Sequence, residues 1–137
     1  MAMNFHINTA SRVPIYQQLV TQVREGVARG AVDPGERLPS VRDLSREIVV
    51  NPNTVARAYT ELEREGILNT RPGLGVFAAE LGTQLSQEIR EKKLIEGLDR
   101  FLTEAVHLGF SSGDVTAVIN DRIGQFRWAS ERKAAGA

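Results

Sequence analysis

The chain contains no cysteine, which removes disulfide frameworks, thiolate nucleophiles and thiolate metal sites together. Its two histidines, His6 and His107, stand far apart and make no ligand set. Each reads as an incidental surface or packing residue, and neither a metal nor a cofactor is expected. No apolar run approaches the ~20 residues that span a bilayer, and no signal-peptide pattern precedes the fold. The expected setting is cytoplasmic, with no membrane partner. Net charge is missing too, because 17 basic and 17 acidic residues cancel. Global charge therefore argues neither for nor against nucleic acid.

Lysine is absent from residues 1–79, so arginine supplies all the positive charge there. Arg37, Arg42, Arg46, Arg57, Arg64 and Arg71 fall within a short span of chain. The planar fork of arginine suits guanine and phosphate better than the point charge of lysine. Glu61, Glu63 and Glu65 are the local counterweight.

What the chain does contain is the pattern of a folded domain. At 137 residues, 42% hydrophobic and 25% charged, it allows one ordinary domain or a small domain with an appendage. Residues 1–12 read as an extended lead-in, with Phe5 and Ile7 alternating as in an edge strand or packed arm. Pro14 opens a helix carrying Ile15, Leu19, Val23 and Val27 at near-helical spacing, and Gly30 ends it. Asp33-Pro34-Gly35 is a turn.

Residues 38–62, LPSVRDLSREIVVNPNTVARAYTEL, organise the rest. Ser40 and Asp43 form a Ser-x-x-Asp start signal for a short helix that runs out near Ile48. VVNPN then turns the chain. Asn51 caps a second helix with Pro52 at its first position, where a missing N–H costs nothing. Two short helices joined by a tight turn have the form of a helix-turn-helix. The second helix is expected over residues 52–65, with Gly66 as its stop. Val55, Ala58, Tyr59 and Leu62 share its buried face. Asn53, Arg57, Thr60 and Arg64 occupy the opposite face, with Thr54 at its edge. Such groups bond base edges and phosphates in a major groove, although a merely solvated face would look alike. Beyond it, Ile67–Leu68 and Val76–Phe77–Ala78 flank Arg71-Pro72-Gly73-Leu74-Gly75, the pattern of a hairpin. Behind a helix-turn-helix, a hairpin reads as a wing.

The combination Leu-Pro-Ser-x-Arg-x-Leu, Asn-x-x-Thr-Val-x-x-Ala-Tyr and Gly-x-Gly-x-Phe resembles the DNA-binding domain of the GntR family of bacterial transcription regulators. The resemblance covers residues 12–79 and implies double-stranded DNA as the partner. It carries the family's base-contacting arginine onto Arg42, the threonine of its recognition helix onto Thr54, and the wing-tip glycines onto Gly73 and Gly75. Where many members have an arginine two residues after that threonine, this chain has Ala56, with Arg57 beside it. The candidate DNA-binding set is Arg37, Ser40, Arg42, Asn51, Asn53, Thr54, Arg57, Thr60, Arg71, Gly73 and Gly75.

Residues 80–137 are too few for the ligand domains of larger members, so the chain looks like the short YtrA-type branch. In that branch the tail is a pair of dimerising helices, and the regulators often repress operons for ABC-type transporters. The residues themselves support two helices. Leu85, Ile89, Ile95, Leu98, Leu102 and Ala105 recur at helical spacing from about Thr83, and Leu94, Phe101 and Leu108 widen the stripe. Gly109 is a stop, and Ser111-x-x-Asp114 starts a second helix bearing Val115, Val118, Ile119, Ile123 and Phe126. The expected dimer face combines Leu85, Ile89, Ile95, Leu98, Phe101, Leu102 and Ala105 with Val118, Ile119 and Phe126. Such a stripe predicts no drug-sized enclosed cavity of ~300 Å³ or more, so an effector, of unknown identity, would act at the dimer seam or near residues 80–83.

The expected fold is mostly α with a small β wing: a winged helix-turn-helix over residues 1–79, then a two-helix dimerisation tail over 80–137. The expected function is a dimeric repressor on a palindromic operator. An enzyme is disfavoured, because no nucleophile with its base and no phosphate-cradling loop occurs, and Gly73-x-Gly75 is too short for a dinucleotide fingerprint. A winged helix used only for protein contact is disfavoured by Asn53, Arg57 and Thr60.

Overall fold

A computed structural model of the chain describes residues 3–80 and 85–128. The described residues form two compact units, residues 3–80 with 127–128, and residues 85–126.

The first unit is a winged helix-turn-helix. Helix α1 spans Ile15–Arg29, and Gly30 closes it in the left-handed conformation. Helix α2, Val41–Ile48, begins where the Ser40 hydroxyl accepts the Asp43 N–H. Helix α3, Pro52–Arg64, begins where the Asn51 side chain accepts the Asn53 N–H. Strands β1, Leu68–Arg71, and β2, Gly75–Ala78, pair antiparallel, with Leu68 opposite Ala78 and Arg71 opposite Gly75. One core unites these elements: Leu19, Val23 and Val27 from α1, Leu44 from α2, Val55, Ala58, Tyr59 and Leu62 from α3, and Leu68 and Ala78 from the hairpin. The apolar spacings expected of α1 and α3 both point into it.

Two features of this unit lie beyond periodicity. Residues 3–8 are a packed arm rather than a strand, with Met3, Phe5 and Ile7 against the core. Two glutamines of α1 serve its backbone as a neighbouring strand would. Gln22 accepts the His6 N–H at 3.0 Å and donates to the His6 carbonyl at 2.8 Å. Gln18 accepts the Asn8 N–H and donates back to the Asn8 carbonyl, both at 2.9 Å. Secondly, the turn between α2 and α3 places Val49 at φ 54°, the left-handed region, with its N–H bonded to the Ser45 carbonyl. A β-branched residue is costly there.

The second unit holds α4, Gln87–His107, and α5, Ser112–Ile123. The expected start of α4 at Thr83 is corrected to Gln87, because the Ser86 hydroxyl accepts the Ile89 N–H and caps the helix there. Leu85 therefore precedes α4 instead of lying on its face; Thr83 itself, like the rest of 81–84, lies outside the described residues. Ser111 and Asp114 form a reciprocal capping box at the start of α5. The two hydrogen bonds from Ser111 hold the Asp114 carboxyl below the usual carboxylate range. Helix α5 stops at Ile123 against Gly124, so Phe126 falls beyond the helix to which periodicity had assigned it. Arg127, allotted to the tail by its position in the chain, groups with the first unit. Its backbone N–H donates to the Ala28 carbonyl at 2.8 Å, and its side chain reaches Asp33 and the Gly30 carbonyl.

Among the described residues, no helix is long and apolar enough to cross a membrane.

Candidate nucleic-acid interface

The sequence LPS gives α2 a defined starting point. Leu38 is buried, Ser40 caps the helix, and the buried Tyr59 hydroxyl donates to the Pro39 carbonyl at 2.7 Å. That bond ties the middle of α3 to the entry of α2, so the two helices of the motif are held at both the turn and the far end. Burial of the ring first, and the Glu47 carboxylate second, keep the Tyr59 phenol protonated well above the usual tyrosine range.

With Leu44 and Ser45 turned into the core, Arg42 and Arg46 fall one turn apart on one flank of α2, and Asp43 and Glu47 on the other. The Ser45 hydroxyl donates to the Arg42 carbonyl at 2.9 Å, which fixes the backbone beneath that arginine. On α3, Asn53, Arg57 and Thr60 are exposed opposite the buried face, and Thr54 is half-buried. Asn51 is exposed, but its carbonyl oxygen is committed to capping α3.

The wing is built on residues 36–38 as well as on its own hairpin. The Leu38 N–H donates to the Val76 carbonyl at 2.8 Å, and the Ala78 N–H to the Glu36 carbonyl at 2.9 Å. Arg37 thus lies opposite Phe77 at the edge of the sheet. At the tip, the Leu74 N–H donates to the Arg71 carbonyl at 2.9 Å, and Gly73 has φ 76°. Proline then glycine at the two central positions is the chemistry of a type II turn. Arg71 lies with its guanidinium 4.4 Å from the centre of the Phe77 ring.

Charge in this unit is sorted by position. Glu65 pairs with Arg24 at 2.6 Å, and Glu61 pairs with Arg64, while Glu63 accepts the Thr70 N–H at 3.3 Å. The acidic end of α3 is thereby occupied within the chain. Among the described residues, Arg37, Arg42, Arg46, Arg57 and Arg71 form no ion pair. A set of exposed, uncompensated guanidinium groups around a helix-turn-helix and its wing attracts a polyanion.

Sequence reasoning missed two partners of these arginines. Arg57 stacks on Tyr16 of α1, its guanidinium carbon 3.8 Å from the ring centre, and Arg71 uses Phe77 in the same way. Tyr16 stands between Ile15 and Gln17, Phe77 stands in the Val76–Phe77–Ala78 run of the hairpin, and nothing in the spacing marks either ring as a platform.

The sequence profile of the bacterial regulatory proteins, gntR family, matches residues 15–78. The chain is 40% identical over 103 residues to the HTH-type transcriptional repressor YtrA of Bacillus subtilis, covering 75% of this chain and 79% of that protein. The chain belongs to the GntR family. Among solved structures, a transcriptional antiterminator from Listeria monocytogenes superposes with a TM-score of 0.72 at 34% identity, over 88% of this chain and 90% of that one. YtrA from Sulfolobus acidocaldarius, a GntR-family transcription factor, gives 0.54 at 28% identity, over 69% and 97%. This GntR protein is therefore of the short YtrA type, a DNA-binding transcription regulator and not an enzyme.

In the second unit, most of the apolar stripe on α4 is exposed: Ile89, Leu94, Ile95, Leu98, Phe101 and Leu102 all face solvent. Ala105 is already buried within the chain. Between α4 and α5 lies an open apolar groove of about 410 Å³, lined by Leu98, Leu102, Val115 and Ile119, with Phe110 from the connecting turn. This space exceeds ~300 Å³ but is a groove open to solvent, so it does not contradict the expectation of no enclosed cavity of that size.

Proposed function

We propose that this GntR protein is a cytoplasmic homodimeric repressor that occupies a palindromic operator, with the operon of an ABC-type transporter as its target. The observation that carries the dimer is the uncovered face of α4, where Ile95 is 56% exposed and Leu98 and Phe101 are 43% and 44% exposed. A lone monomer gains nothing by leaving such a face in water, whereas a second copy buries it at about 25 cal/mol per Å². Leu85, Ile89, Val118, Ile119 and Phe126 belong to the same proposed interface. Two-fold pairing sets two copies of α3 against the two halves of a two-fold site.

Arg42, Asn53, Thr54 and Thr60 are the proposed base-reading residues, Arg37, Ser40 and Arg71 the phosphate contacts, and Gly73 and Gly75 the close approach of the wing. Repression follows from occupancy alone, in keeping with the name of the Bacillus subtilis relative. The groove between α4 and α5, which is continuous with the dimer face, is where an effector would change the spacing of the halves. The test is selection of duplexes from a random pool by the purified protein, with sedimentation of the free and bound forms. Recovery of an inverted repeat bound by two chains is the expected result. A single asymmetric site bound by one chain would overturn the reading.

A further inference from the structure

We propose that Tyr16 and Arg57 form a preassembled phosphate clamp on the flank of α3, in which Tyr16 is a positioning residue and Arg57 supplies affinity instead of base discrimination. The proposal rests on the reading that α3 is the helix in the major groove. By helical spacing alone Arg57 belongs to the outer face of α3, beside Asn53 and Thr60. The structure draws its guanidinium sideways instead, onto the Tyr16 ring at 3.8 Å. That ring is in the first turn of α1 and packs partly against the core, so it is a fixed platform.

Two turns further along, Arg24 of α1 pairs with Glu65, the residue that caps the end of α3, at 2.6 Å. Helix α1 therefore runs along one flank of α3, and the two contacts mark that flank at its two ends. A helix with its side chains is about 10–12 Å across, and the major groove is about 12 Å wide. With α3 in the groove there is no width left for α1. A guanidinium held over the first turn of α1 then lies at the lip of the groove, level with the phosphates rather than the base edges.

Its chemistry suits that place. Stacking uses one face of the guanidinium and leaves its N–H donors pointing outward in the plane, the geometry that meets two phosphate oxygens. The Tyr16 hydroxyl accepts from the Gln17 amide at 3.1 Å, so its own proton is available for the same phosphate group. Among the described residues, Arg57 makes no ion pair that would have to break on binding.

The experiment uses the full chain and two duplexes of equal length: one selected from a random pool by the wild-type protein, and a scrambled version. Affinities are measured from about 50 to 200 mM salt. Arg57→Ala is expected to weaken both duplexes by the same factor and to reduce the salt slope by about 1. Tyr16→Leu is expected to weaken both duplexes while Arg57 is present, and to add nothing in the Arg57→Ala background. Tyr16→Phe, which keeps the platform, should retain most of the affinity. A merely structural role for Tyr16 would make its effect persist without Arg57, and would overturn the positioning claim. A loss confined to the selected duplex, with one base position blurred, would overturn the clamp. Asn53→Ala and Thr60→Ala separate the two levels: if neither changes binding to the selected duplex, α3 is not in the groove and the underlying reading fails. If they weaken that binding and Arg57→Ala is base-selective, only the clamp falls.

Discussion

Gly75 and Arg37 share one space. A Cβ built on Gly75 would sit 2.9 Å from the Arg37 Nε, and Gly75 itself has φ 126°. The glycine therefore does two things: it lets the wing strand begin in a conformation closed to other residues, and it makes room for an arginine at the sheet edge. Gly75→Val is expected to cost about 1–3 kcal/mol of stability from backbone strain and to displace Arg37. Operator affinity should fall while sedimentation of the free protein stays unchanged. Normal affinity in this variant would reduce Gly75 to an ordinary turn residue.

Arg42 is exposed at the start of α2, on a backbone pinned by Ser45 and, among the described residues, without an ionic partner. Arg42→Ala should lose about 1–3 kcal/mol of specific binding and relax one base position in each half-site. Circular dichroism should show an unchanged fold. Equal losses on operator and random duplex would mean that Arg42 contacts phosphate only.

For the proposed dimer, Leu98 lies on the exposed face of α4 and in the wall of the groove beside α5. Leu98→Asp should yield a monomer by sedimentation. Such a monomer is expected to bind one half-site weakly, because the second contact is no longer nearly intramolecular. A variant that stays dimeric would move the interface elsewhere.

Val49 holds a left-handed backbone with its side chain 88% exposed, so it has almost no packing to lose. Asparagine tolerates that conformation better. Val49→Asn is expected to stabilise the protein by about 1 kcal/mol and to raise the melting temperature by a few degrees. No rise would show that the turn carries no strain worth relieving.

Tyr59 links pH to stability. Its pKa is raised in the folded chain by burial, with a smaller contribution from Glu47, so folding favours the protonated phenol. Its contribution is complete below about pH 10, the unfolded value, and is lost as pH climbs toward the folded one. Urea unfolding should show that loss above pH 10. Tyr59→Phe should cost about 1 kcal/mol at neutral pH, by orphaning the Pro39 carbonyl, and should flatten the alkaline decline. An unchanged decline would assign it to other groups.

The local grammar of this chain was written in its residues. Ser40, Asn51 and Ser111 cap helices because short polar side chains accept N–H groups that a helix start leaves over, and each does so here. Leu19, Val23 and Val27, and Val55, Tyr59 and Leu62, are buried because the period of an α-helix puts them on one face. The family signature lies in those same stretches, so the winged helix-turn-helix was legible from the sequence. What only the tertiary structure decided are the meetings of residues far apart in the chain. Gln18 and Gln22 hold the arm, Arg37 fills the space at Gly75, Arg57 lies on Tyr16, and Arg127 joins Ala28, Gly30 and Asp33. Helical periodicity ranks a residue by the face it occupies, but a long side chain can lie back along its helix onto a neighbour. Where an arginine's charge finally sits depends on which ring the packing of two helices brings beside it, and that information is in no local spacing.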